Sequence, residues 1–102
     1  MLLRNPQQGP EIVGKSNAMT PRALAELCLG QLAENPEQLA EFMTLTGYTP
    51  AGLRNAVGGD QLDRGLIDYF AQNEPLMLSL CANNGLKPDD FMRVWARLNP
   101  AG

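Results

Sequence analysis

Residues 39–54 read Leu39-Ala-Glu-Phe-Met-Thr-Leu-Thr-Gly-Tyr-Thr-Pro-Ala-Gly-Leu-Arg54. Leu39, Phe42, Met43 and Leu45 or Thr46 recur at three- and four-residue intervals, which puts them on one face of a helix. Gly47 stops that helix, because glycine takes the left-handed conformation of a helix C-cap without a Cβ penalty. Tyr48 then fills the corner. Thr49 supplies a hydroxyl cap, and Pro50 sits at the first helical position, where its missing N–H costs nothing. Two arrangements share this spacing: a DNA-binding helix-turn-helix and an ordinary corner of a helical bundle. Either way the chain is helical here.

The same punctuation recurs on both sides. Upstream, Thr20-Pro21 opens a helix whose Leu24, Leu27, Cys28 and Leu32 share a face, with Ala33 at its end. Asn35-Pro36-Glu37-Gln38 restarts the chain, and Gln38 is placed to complete a capping box. Downstream of the corner, Leu53, Ala56 and Val57 face inward before Gly58-Gly59 closes the segment. Asp60 is expected to cap a fourth helix, with Leu62, Leu66, Tyr69 and Phe70 inward and Asp63, Arg64 and Asp68 outward. After the corner Asn73-Glu74-Pro75, Leu76, Leu80 and Cys81 form a fifth stripe, widened by Met77 and Leu78 and stopped by Asn83-Asn84-Gly85. Pro88-Asp89-Asp90 starts the last helix, with carboxylates at the positive end of its dipole and Arg93 and Arg97 toward the negative end. Phe91, Val94, Trp95 and Leu98 are its core face. No segment alternates with period two. The expected fold is all-α, a compact orthogonal bundle of about five to six short helices, with helices two and three at its centre.

Composition narrows the function. A chain of 102 residues with 44% hydrophobic content fits one soluble globular domain. Its longest apolar runs are of the size of Leu76-Met77-Leu78, too short to cross a membrane, so a cytoplasmic protein is expected. The two cysteines, Cys28 and Cys81, lie far apart in a chain without histidine, so zinc-ligand spacing is missing and both read as buried free thiols. Ser16-Asn17-Ala18-Met19 has the form of the scar that an expression vector leaves before an initiator methionine. Residues 1–18 are therefore expected to be an expression tag or disordered tail, and residues 19–102 the helical domain. From Met19 onward six basic residues face ten acidic ones, a balance that argues against polyanion partners.

The run Leu39, Phe42-Met43, Thr46-Gly47-Tyr48, Pro50, Leu53-Arg54 resembles the signature of a bacterial family catalogued as domain of unknown function 3572. That family's pattern is an Ala-Leu-rich helix, Asp/Asn-Pro, then Leu-x-x-Phe-Leu-x-x-Thr-Gly-Leu-x-Pro-x-x-Leu-Arg. Further matching segments are Leu66-Ile67-Asp68-Tyr69-Phe70, Glu74 with Leu76 and Leu78, and Pro88 through Leu98. Departures are mild: Tyr48 where Leu is common, Met43 for Leu, and Cys81 in a small or aromatic slot. The resemblance covers nearly everything from Met19 onward. It implies an all-α domain that starts at Met19 and brings no established activity or catalytic residue with it.

The candidate chemistry is sparse. A helix-turn-helix wants a small residue four before the turn glycine, where this chain has Met43. Its recognition helix would offer only Arg54 and Asn55, whereas DNA binders usually make several Lys/Arg phosphate contacts. Paired carboxylates at Asp60/Asp63 and Asp89/Asp90 are accounted for by helix dipoles. Without histidine, or a Ser or Cys paired to a base, neither nucleophilic nor acid–base catalysis has its players, so no catalytic residue, cofactor, metal or small-molecule substrate is assigned. Leu29, Leu45, Met77, Leu78 and Met92 fall off the central helical faces, where they either form an adaptable Met/Leu surface or complete the core of a monomer. The sequence thus favours a non-catalytic protein–protein interaction module, with self-association as one form, over a degenerate helix-turn-helix reading DNA. Arg54, Leu45, Tyr48, Met77 and Met92 are the candidate partner-binding residues.

Overall fold

Six helices form where the caps dictate. In a computed structural model that describes residues 19–100, α1 spans Pro21–Ala33, α2 Pro36–Thr46, α3 Pro50–Ala56, α4 Asp60–Ala71, α5 Glu74–Asn84 and α6 Pro88–Leu98. No strand occurs among the described residues. The expected all-α bundle of short helices is what the chain adopts, whereas the tag or tail assigned to residues 1–18 lies outside the described residues.

The cap signals act unequally. Thr20 Oγ1 accepts the Ala23 N–H at 3.0 Å and Thr49 Oγ1 accepts the Gly52 N–H at 3.0 Å, each satisfying an orphan donor of a first turn. Gly47 (φ 84°) and Gly85 (φ 61°) end α2 and α5 in the left-handed region, a backbone state that side chains beyond glycine resist. The capping box expected at Gln38 does not form. Asn35 turns back to donate to Gln31 O at 3.0 Å, closing α1, and the Gln38 amide leaves its own backbone for Tyr69 and Glu41. Asp60 is likewise the first residue of α4 rather than its cap, a place that Gly59 takes.

One apolar cluster gathers a contribution from every helix. Leu24, Ala25, Cys28 and Leu32 of α1 meet Leu62, Leu66, Ile67 and Phe70 of α4, the most extensive helix pairing in the fold. Phe42, Leu53, Leu80 with Cys81, and Phe91 with Val94 close around that pair. The centre is therefore α1–α4 and not the α2–α3 corner, because α2 and α3 bury a single side chain each. Two assignments at element ends also change. Val57 lies past the end of α3 in extended backbone (φ −58°, ψ 131°), which turns its side chain out to 54% exposure. Trp95 is half-buried, and its indole N–H donates to Asp68 Oδ1 at 3.0 Å. Cys28 and Cys81 are free and buried as expected, and burial pushes both thiols up.

Asp63, expected on the outer face, is 7% exposed. It shares the core face of α4 with Leu66 and Ile67, and Arg22 Nε donates to its Oδ2 at 2.7 Å. The partner comes from the first turn of α1, so the pair ties the two central helices at one end. Arg22 keeps about half of its side chain in water (47% exposed), whereas the carboxylate does not (9%). The two partners thus differ in what each leaves behind. Arg22→Met strands a buried carboxylate and is expected to destabilise the fold, whereas Asp63→Asn keeps an acceptor for Nε and destabilises it less. Urea unfolding of the two variants measures the difference; equal losses would show that the carboxylate is not desolvated in solution.

Candidate interaction surface

The corner at Gly47 is held from within. Phe42 is fully buried, and Tyr48 stacks toward it with ring centroids 6.4 Å apart and planes 22° from parallel. Tyr69 of α4 meets Phe42 edge-on at 5.3 Å, an arrangement that suits the ring quadrupoles. Polar atoms close the same α2–α4 contact. Tyr69 Oη donates to Glu41 Oε1 at 2.5 Å and accepts from Gln38 Nε2 at 2.6 Å, and that amide also donates to Glu41 Oε1 at 2.7 Å. Desolvation, followed by the hydrogen bond to Glu41, holds the Tyr69 phenol above its usual range.

Outside this seam the surface is concave. An open groove of about 940 Å³ runs between the end of α2 and the α3–α4 turn, lined by Thr46, Gly47, Tyr48, residues 55–59, Asp60, Gln61, Leu62 and Gly65. A second depression of about 460 Å³ continues along α2 and α4, lined by Glu41, Leu45, Thr46, Gly65, Asp68, Tyr69, Gln72 and Asn73. Thr46 and Gly65 line both, so the two run into one another. Leu45 (69% exposed) and Val57 (54%) stand at this surface, and both are large apolar side chains in water. Gly65 lies inside α4 without positive φ, and a methyl group there would meet nothing within 4 Å. A helix-interior glycine costs about 0.5–1 kcal/mol relative to alanine, and the fold itself shows no return for it.

The five residues singled out from the sequence do not form one patch. Leu45 and Tyr48 share the groove system. Arg54 is exposed on α3 but lines neither depression, and Met92 is half-buried against the core on α6. Met77 is corrected to a core residue at 6% exposure: on α5 the buried arc runs through Met77, Leu80 and Cys81, leaving Leu78 at 43%. Leu29 is half-buried against the core. The residues missed were Val57 and Gly65. The signal for Val57 was the glycine pair that follows it, and for Gly65 a glycine within an otherwise strong helical stripe.

Most of the cations are engaged within the fold. Arg22 pairs with Asp63, and Arg93 with Asp90 at 2.7 Å. Arg64 donates to Leu98 O at 3.0 Å and Arg97 to Met19 O at 2.9 Å. Of the six basic residues from Met19 on, only Arg54 and Lys87 have side chains that make neither an ion pair nor a hydrogen bond among the described residues. No group of three or more His, Cys, Asp or Glu among the described residues is arranged to hold a metal ion. No helix described is long and apolar enough to cross a membrane.

The fold and surface belong to a class of small helical domains without an assigned activity. The chain is a member of the family described as "Protein of unknown function (DUF3572)", whose match covers residues 18–101. No curated protein and no solved structure matches it.

The α2–α4 seam makes a titration prediction. A phenol whose pKa is raised on folding favours its neutral form in the native state, so its contribution to stability is present below the unfolded value near 10 and is lost as pH rises through the higher folded value. In Tyr48→Phe the sole remaining tyrosine is Tyr69. Its tyrosinate absorbance is expected to appear with a midpoint above about 10 in the folded protein and to fall back on unfolding; a native midpoint at or below that value contradicts the seam as described.

Proposed function

We propose that this chain is a cytoplasmic, non-catalytic protein–protein interaction module that works through the groove between α2, α4 and the α3–α4 turn. The observation that carries this proposal is the pair of exposed apolar side chains, Leu45 and Val57, beside a broad concave surface. Burying such side chains against a partner is favourable, whereas a small monomer gains nothing by keeping them in water. Free cysteines fit a reducing compartment.

A DNA-reading corner finds less support. Its best feature is Arg54 beside Asn55, both exposed on α3. That helix is seven residues long, and the basic side chains that would hold phosphates are mostly spent on contacts within the fold.

Affinity capture from the native cells, run with and without nuclease, tests the proposal. A protein partner is expected to survive nuclease and to be lost from the variant carrying Leu45→Glu and Val57→Glu, which puts charge on two surface positions and leaves the core intact. Recovery that depends on nucleic acid and on Arg54 would instead make the corner a DNA contact.

A further inference from the structure

We infer that the groove is shaped for a basic amphipathic segment of a partner protein, one whose apolar side chains cover Leu45 and Val57 while its Lys or Arg side chains meet a carboxylate rim. This inference rests on the interaction-module proposal and specifies the partner's chemistry.

The charge pattern carries it. The charged residues that line the two joined depressions, Glu41, Asp60 and Asp68, are acidic, and the cations that border them, Arg22 and Arg64, are turned to Asp63 and to Leu98 O. Two of the three are held by hydrogen bonds from uncharged donors. Glu41 receives a phenol and an amide, and Asp68 receives the Trp95 indole and the Gln72 amide, all uncharged donors. Asp60 has only Arg22 Nη2, at 3.9 Å, and its side chain is 98% exposed. A concave surface lined by one sign of charge raises the local concentration of the opposite sign and steers its approach. An acidic segment would meet like-charge repulsion from these carboxylates, so the complementary occupant is basic.

Gly65 adds the close approach. It lies where the two depressions meet, and the space beside it is empty. Glycine at a point that its own fold leaves open lets another backbone or a large side chain come within contact distance of the helix. Gly30 of α1 is also a helix-interior glycine with open space around it, but it lines neither depression. It is therefore the control.

Selection of a displayed library of short random peptides against the full chain tests the inference. The expected winners combine Lys or Arg with apolar residues at three- and four-residue spacing. The best of them, made as a free peptide, should bind about tenfold more weakly to the variant with Glu41→Gln and Asp60→Asn, and also to Leu45→Ser. Gly65→Ala should melt higher than the parent yet bind the peptide more weakly, whereas Gly30→Ala should melt higher and bind it unchanged. Winners that are acidic or uncharged, no enrichment at all, or binding undiminished by the two amide substitutions would overturn the inference. If a cellular partner still requires Leu45 and Val57 while the selection goes that way, the basic segment falls and the interaction module stands. A chain that captures no protein removes both.

Discussion

The hydrogen-bonded ion pair between Arg22 and Asp63 fixes how the two central helices meet. Asp63 occupies a place on the inner face of α4 where a leucine would otherwise be expected, and a carboxylate there is tolerable only with a cation in reach. The first turn of α1 supplies it, and the pair lies at one end of the contact of Leu24, Cys28 and Leu32 with Leu66, Ile67 and Phe70. The remaining helices then have a defined ridge to pack on. α2, α5 and α6 each lay a short apolar face against it, and α3 reaches it through Leu53. The pair's net contribution to stability is small, since a half-exposed ion pair gains little once desolvation is counted.

Much of this was legible in the residues, and the parts that were not have physical reasons. Hydroxyl–proline and glycine punctuation located six helices, because caps are local and their chemistry is read over a few positions. Which helices lie at the centre was not local. The α2–α3 corner has the most conspicuous spacing, yet centrality follows from burial, and α4 buries four apolar side chains where α2 buries one. Asp63 was placed outside because charge outweighed position: it stands three residues before Leu66, on the buried stripe, and its partner is 41 positions away in sequence. On α5 three apolar residues in succession, Leu76, Met77 and Leu78, define no single face, so only the packing shows that Met77 is the inner one. The candidate surface was legible in part. Leu45 and Tyr48 stood out as apolar residues beside a corner, whereas Val57 looked like a continuation of α3 until its extended backbone turned it outward.

The molecule divides its surface by charge as well as by shape. Most of its cations are engaged within the fold, in ion pairs or on backbone carbonyls near α1, α4 and α6. At the groove, Glu41 and Asp68 are held by uncharged donors, and Asp60 has Arg22 Nη2 at 3.9 Å. Membership in a family without an assigned activity leaves such differences as the available guide to what the domain does. Local choices that cost stability and serve nothing in the fold, such as exposed Leu45 and a helix-interior glycine at Gly65, are where function is commonly found.

Native-state hydrogen exchange measures the central claim most directly, because it ranks helices by the free energy needed to open them. If α1 and α4 form the axis on which the others pack, amides of Leu24 to Leu32 and of Leu66 to Phe70 should exchange only through global unfolding, and those of α2 and α3 through smaller openings. Slowest exchange in α2 and α3, with α1 opening first, would return the centre of the fold to the corner at Gly47 and contradict the account.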